Sequence, residues 1–270
     1  KVDDDFGSVS PGKVADILLI DDLAEFRVSA VLASGELVAW GGQMIKELPV
    51  PKFTEWAYGT TRLPTPVKPE DFLVRIDTEQ PEVMIRVILA SGVSLVTEEI
   101  HQRVRVQDRV ILCDTSRDIL KIAAIERIMG TGKMGVGFIQ GFGLKSGAIA
   151  TTYNSQQENL VVLGTNDQDM AVAVNTLAAS GGGFVVVDKG EVKALLELPL
   201  FGLESDQSYS QVLSRFIELD DALADLNCHL PATFHTLGFM GLPVDIGTLK
   251  ICPMGLVDVW KGKVVSLVVD

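Results

Sequence analysis

The sequence predicts an α/β or α+β chain, with a small strand-rich sheet followed by a mixed-sheet domain that carries a few helices. Three observations predict it. Short apolar runs separated by turn residues fill the first fifty positions, the pattern of brief strands. Two continuous apolar runs, Asn159–Gly164 and Gly183–Asp188, have the uniform hydrophobicity of strands buried on both faces. Between and after these runs, apolar residues recur at helical spacing.

Taken in order, Ala15–Asp21 is a short apolar run bounded by Pro11-Gly12 and Asp21-Asp22. Val28–Ala33 and Glu36–Trp40 flank Ser34-Gly35, which predicts a tight hairpin, and Gly41-Gly42 turns the chain into Met44-Ile45. So few short strands predict a sheet without a core of its own. Prolines 49, 51, 64, 66 and 69 follow within about twenty residues; lacking an amide donor and fixed in φ, they predict an extended linker. The domain boundary is placed near residue 66, giving units 1–66 and 67–270, and Trp56 and Tyr58 predict that the linker docks on a surface.

Beyond it, Glu82–Ala90, Val104–Gln107, Arg109–Cys113 and Ile119–Glu126 are expected strands. A helix is expected after Thr165-Asn166-Asp167, whose side-chain oxygens can accept from first-turn amides. Its stripe is Met170, Ala171, Val174, Leu177 and Ala178, with Gly181 as its stop. Strand, helix and strand joined this closely predict a crossover to a parallel neighbour. A second helix is expected from Ser208 to Leu226, with Val212, Phe216, Leu219, Leu223 and Leu226 on one face and Glu218, Asp220, Asp221 and Asp225 on the other. Leu256–Trp260 and Lys263–Leu267 close the chain as strands.

The chain has 270 residues, a formal net charge of −13 and 47% hydrophobic residues. This composition suits a packed core and lacks the basic footprint that binding to nucleic acid or a membrane surface requires. No apolar run approaches the roughly 18 residues of a membrane-spanning helix. Three scattered cysteines, Cys113, Cys228 and Cys252, fit a reducing, cytoplasmic setting. His101, His229 and His235 form no pair at ligand spacing, so no metal site is expected within the chain.

Several constellations admit two readings. Gly130-Thr131-Gly132-Lys133-Met134-Gly135 matches the dinucleotide fingerprint in letters only, because the glycines that follow it would break the required helix. The Gly130–Gly147 stretch is either a glycine-punctuated hairpin or a loop lining a site. The polar run Thr151–Asn159 is either a solvated loop or a reader of a heterocycle's hydrogen-bonding edge. Glu98-Glu99 with His101 could form an acid–base group, but a solvated helix start after Thr97 is the expected arrangement. His235, set in apolar sequence, is expected to be a hydrogen-bonded core residue, and Asp114 with Arg117-Asp118 to form a turn.

Two sets of residues resemble a known family. Ser10–Asp22 is similar to the turn and strand by which amidohydrolase-superfamily enzymes return from their barrel to a small β-sandwich. The remainder resembles the C-terminal domain of bacterial adenine deaminases. The matching stretches are Arg117–Ile122, Glu126-Arg127, Gly130-Thr131-Gly132, Gly135–Phe138, Gly141–Lys145, Gly147–Ala150, Gly164–Asp167, Gly181–Gly183, Val185–Asp188 and Gly255–Asp258. The resemblance implies a partial sandwich plus an accessory domain, with the catalytic (β/α)8 barrel outside this chain. Lys1 would then lie mid-protein. It also implies hydrolysis of adenine to hypoxanthine and ammonia with a divalent metal, manganese, iron or zinc, held in that barrel, and no catalytic residue in this chain. Its partners would be the barrel segment of the same protein and further copies in a homo-oligomer. The substrate-proximal candidates are Gly130, Thr131, Gly132, Ser155, Gln156, Gln157, Glu158 and Asn159. The chain departs from the family there: a usual His-Asp-Ser-His run is Ser155-Gln156-Gln157-Glu158, and a usual histidine after the Glu-Arg pair is Ile128. That departure leaves open a different heterocyclic substrate, or a domain that only assembles and stabilises.

Overall fold

The computed structural model describes residues 2–47, 51–91, 94–154, 158–244 and 247–269, and the chain divides into two compact units, residues 1–52 and 53–270. The first is an antiparallel sheet of four strands in sequence order: β1 (Ile17–Asp22), β2 (Arg27–Ala33), β3 (Glu36–Trp40) and β4 (Gln43–Met44). Ser34 and Gly35 make the β2–β3 turn at φ 51° and 81°. Two positive φ values in a two-residue loop match the right-handed twist of the flanking strands. Among this unit's described hydrophobic residues, Ala30 alone is fully buried, whereas Leu18, Leu19, Leu37, Trp40 and Met44 are exposed.

The second unit is built on a nine-stranded sheet. Its strands are β5 (Glu82–Ser91), β6 (Ser94–Gln107), β7 (Val110–Ile111), β8 (Leu120–Ile125), β9 (Met134–Gln140), β10 (Ala148–Thr151), β11 (Leu160–Gly164), β12 (Gly183–Asp188) and β13 (Glu191–Glu197). Their order is β13-β12-β10-β11-β8-β9-β5-β6-β7, antiparallel apart from the parallel pair β5–β9. A second sheet joins β14 (Leu249–Cys252), β15 (Gly255–Asp258) and β16 (Lys263–Val265). The helices are α1 (Asp167–Ser180), α2 (Tyr209–Asp225) and α3 (Thr233–Met240).

Both faces of the large sheet are covered, which is why its central strands read as unbroken apolar runs. Successive side chains of a strand point to opposite faces. Ala123, Ile125, Val162 and Val185 accordingly pack with Met170, Val174 and Leu177 of α1. Their alternates Ile122, Ala124, Val161 and Val186 pack with Leu219 and Leu223 of α2, Leu237 of α3, and Ile251 and Leu256 of β14–β15.

The cap and stop expected for α1 are present, and α2 begins with a cap of its own. Asn166 Oδ1 accepts from the Asp169 amide at 2.8 Å, and Gly181 ends α1 at φ 84°. Ser208 and Gln211 cap α2 reciprocally. The linker from Phe53 onward docks on the second unit, with Trp56 packed on Phe201 and the Tyr58 hydroxyl donating to Asp206.

Two expectations are corrected. The strands around α1 run parallel but are not neighbours, because β10 inserts between β11 and β12 and pairs antiparallel with both. Glu98 and Glu99 do not start a helix. They lie in the fourteen-residue β6, where pairing with β5 sets Glu99 against Ile88 and His101 against Arg86.

Candidate functional site

The Gly130–Gly147 stretch supplies part of the tip and the second strand of a hairpin and the turn that follows it: β8 and β9 pair from Leu120–Ile139 to Ile125–Met134. Its glycines answer to close packing. A Cβ on Gly135 would collide with the Cys252 carbonyl oxygen, and one on Gly137 with the Leu256 side chain, so these glycines let the β14–β15 hairpin lie against β9.

The tip of this hairpin is organised by Glu126, just past β8. Its carboxylate accepts from the amides of Ile128 at 2.7 Å, Met129 at 2.6 Å and Thr131 at 2.9 Å, and from the Thr131 hydroxyl at 2.7 Å. Burial pushes this carboxyl up, but the bonds from Thr131, Met129 and Ile128 favour the charged form and hold it below its ordinary value. Gly130 and Gly132 take φ of 68° and 62°, and Gly132 lies against the Pro64 ring, where a Cβ would come within 2.8 Å.

The next residue, Arg127, is the largest fully buried side chain in the described structure. Its Nη1 lies 3.3 Å from the Thr61 hydroxyl, its Nη2 3.5 Å from the Thr152 carbonyl oxygen and 3.9 Å from Glu158 Oε2. Gly202 presses on the guanidinium, which leaves no room for a Cβ. The Arg127 carbonyl accepts from the Arg62 amide at 2.8 Å. Burial lowers the guanidinium to about 10, against the pull of Glu158 and Glu126, so it stays charged at neutral pH. Burial likewise raises the Glu158 carboxyl, opposed by Arg127. Thr152, wholly buried, donates to the Gly202 carbonyl at 2.6 Å and accepts from the Gly183 amide at 2.7 Å. Five segments therefore meet at two adjoining buried side chains: the linker near Thr61, the β8–β9 hairpin, the end of β10, the start of β12 and the Gly202 turn.

Among the described residues, this hub leaves polar atoms over: Arg127 Nε, Glu158 Oε2 and both amide atoms of Asn154 are buried without a hydrogen-bond partner. Buried polar groups are normally paired, so the cluster can accept a polar ligand or water.

Of the predicted site residues, the structure links Gly130, Thr131 and Gly132 to Glu158 through the consecutive Glu126 and Arg127. Asn159 is buried beside Glu158, at the entry to β11. Ser155, Gln156 and Gln157 lie outside the described residues. The central role of Arg127 was not anticipated; the sequence marks it only as half of the Glu126-Arg127 pair that closes a mostly apolar run and matches the family.

The other candidates resolve differently. Glu99 Oε1 accepts from Arg86 Nε at 3.0 Å and lies 2.8 Å from His101 Nε2, while Arg86 also donates to the carbonyls of Ser266 and Val268. This group ties the C-terminal segment to β5–β6. His235 is not a core residue: it lies on the exposed side of α3, edge-on to Phe239 at 4.8 Å. In an eight-residue helix, Phe234, Thr236 and Leu237 take the buried positions.

His235 and Tyr153 border a groove of about 740 Å³ beside α2, lined mainly by Phe184, Leu196, Leu198, Phe216 and Phe234. Among the described residues, no three His, Cys, Asp or Glu side chains come together to hold a metal ion. None of the described helices is long and apolar enough to cross a membrane.

Comparison with known proteins matches residues 94–263 to the family described as the adenine deaminase C-terminal domain. Among curated relatives, the adenine deaminase of Moorella thermoacetica is 36% identical over 264 residues, 98% of this chain and 44% of its own length. That of Clostridium botulinum strain Langeland is 36% identical over 270 residues, 100% of this chain and 45% of its own. That of Kosmotoga olearia is 38% identical over 261 residues, 97% of this chain and 44% of its own. The chain thus spans less than half the length of these relatives.

Proposed function

Because this chain belongs to the adenine deaminase C-terminal domain family, we propose that it serves as the C-terminal portion of a deaminase that hydrolyses adenine to hypoxanthine and ammonia. In this reading the catalytic barrel lies outside the chain. The observation that carries it is the first unit's sheet, which has exposed apolar side chains and a single fully buried hydrophobic residue, Ala30, among those described. A sheet needs a second layer to bury such side chains. Strands contributed from outside this chain would supply that layer and complete a sandwich.

The described residues do not fit a metal centre. The divalent metal that the family resemblance implies is therefore assigned to no residue here, and no step is derived through it. The contribution of this chain is structural and positional. Glu126 and Arg127 hold the Gly130–Gly132 tip and Glu158 in fixed relation, and that surface would face the barrel. Further copies in a homo-oligomer and a cytoplasmic setting belong to the same proposal.

The test is ammonia release from adenine and related aminoheterocycles, with manganese, iron or zinc, by the protein that joins this chain to the segment its relatives possess. Turnover by the joined protein and none by the 270-residue chain alone is the expected result. Deamination by the chain alone overturns the division of labour. No ammonia from any substrate with any metal overturns the reading.

A further inference from the structure

We propose that the groove beside α2 binds a small organic cation with a flat aromatic body, the class of an arylalkylammonium ion. Its volume of about 740 Å³ falls within the roughly 300–1,000 Å³ usual for small-molecule sites. Its wall is aromatic. Phe184 is the centre, with the ring centroids of Phe234, Phe216 and Tyr153 at 4.9, 5.7 and 6.0 Å. Phe184 and Phe234 are buried, whereas Tyr153 and Phe216 are 43% and 39% exposed, so part of their ring surface stays accessible to a bound molecule.

The carboxylates set the charge of the groove, whose one basic side chain among the described residues is His235 at its border. Its acidic side chains are Glu204 and Asp220; no lysine or arginine lines it, and neither carboxylate has an ion-pair partner among the described residues. Aromatic faces and unpaired carboxylates both attract a cation, and a net charge of −13 adds a long-range contribution of the same sign. The same charges select against other occupants. An anion would meet repulsion. A second copy docked about a two-fold axis would present the same patch to itself and bring these carboxylates toward their own kind. The inference stands apart from the deaminase reading, because it uses none of the hub residues.

Three probes of one shape and different charge test it on the full 270-residue chain at low salt: tryptamine, tryptophol and indole-3-propionate, followed by calorimetry and by amide chemical shifts. Tryptamine is expected to bind about tenfold more tightly than indole-3-propionate, the size of effect that reversing the ligand's charge beside two exposed carboxylates can give. Tryptophol should fall between them, with shifts centred on Tyr153, Phe184 and Phe216. The exposed double substitution Glu204→Gln with Asp220→Asn should remove most of the discrimination, leaving only the long-range contribution of the remaining net charge, while keeping tryptophol binding. Phe216→Ala should weaken all three ligands with the melting transition retained. Equal affinities, preference for the anion, or shifts mapping elsewhere would overturn the proposal. So would a concentration-dependent dimer that excludes tryptamine and that Phe216→Ala dissociates.

Discussion

The two units use the same backbone element in opposite circumstances. In residues 1–52, four antiparallel strands leave leucines, a tryptophan and a methionine exposed. In residues 53–270, a nine-stranded sheet is covered on both faces, and Ile122, Ala123, Ala124 and Ile125 are each fully buried along one strand. The difference lies in what covers the strands rather than in their apolar content. Burial scales with the layers available, so the second unit is expected to carry most of the chain's cooperative stability.

The largest expected break in that contrast comes from Arg127→Met. It strands Glu158 and removes the contacts to Thr61 and the Thr152 carbonyl. A loss of about 3 kcal/mol is expected, as for breaking one side of a buried charge pair. Urea unfolding should show it in the second unit's transition, while signals from β1–β4 stay unchanged. A loss below about 1 kcal/mol would mean that the hub does not tie its segments together.

A glycine comparison sharpens the contrast. Gly135→Ala drives a Cβ into the Cys252 carbonyl, whereas Gly41→Ala, at φ 57°, meets no atom within 4 Å. The first should cost about 2–3 kcal/mol through overpacking. The second should cost about 1 kcal/mol, from backbone conformation alone. Thermal denaturation of both variants checks the order, and a reversed order would contradict the picture of a packed second unit and an open first one.

A smaller effect concerns pH. Hydrogen bonds from the Ser116 hydroxyl and from Arg117 hold the Asp114 carboxyl down at about 2. A carboxyl depressed in the folded state stabilises fully above its unfolded value, about 4, and that contribution disappears as pH falls toward 2. Asp114→Asn should therefore lower the melting temperature at pH 7 and converge with the parent near pH 2. A gap that is constant over this range would show that the turn does not depend on the charge.

The legible parts of the sequence were those where local chemistry and tertiary context agree. Ser34-Gly35 needs positive φ at both positions, Asn166 and Gly181 bracket α1, and Ser208 begins α2; each of these is a short-range requirement. The misread parts were decided at long range. Glu98-Glu99 resembles a solvated helix start until pairing with β5 extends β6 across it. His235 sits in apolar sequence, yet α3 turns it outward because its neighbours fill the core. Lys250, fully buried in β14 with its Nζ on the Phe239 carbonyl oxygen, gave no sign of a strand. The glycine-rich series could be read as a hairpin or as a loop lining a site, and the cause of its glycines, the approach of β14–β15 to β9, involves residues more than a hundred positions away. At the candidate site, Thr131 and Glu158 could be named from sequence. Arg127 was visible only as part of the Glu126-Arg127 match; that it joins them was not, because a buried arginine is defined by partners scattered from Thr61 to Gly202.

Native-state hydrogen exchange tests the central claim most directly, comparing the 270-residue chain alone with the same chain joined to the segment its relatives possess. Amides of β8, β11 and β12 should exchange only through global unfolding in both. Those of β1–β4 should exchange through low-energy opening in the chain alone and become at least about a thousandfold more protected in the joined protein. Strong protection of β1–β4 in the chain alone, unchanged on joining, would contradict the account: the first unit would then be a finished structure rather than a sheet awaiting its second layer.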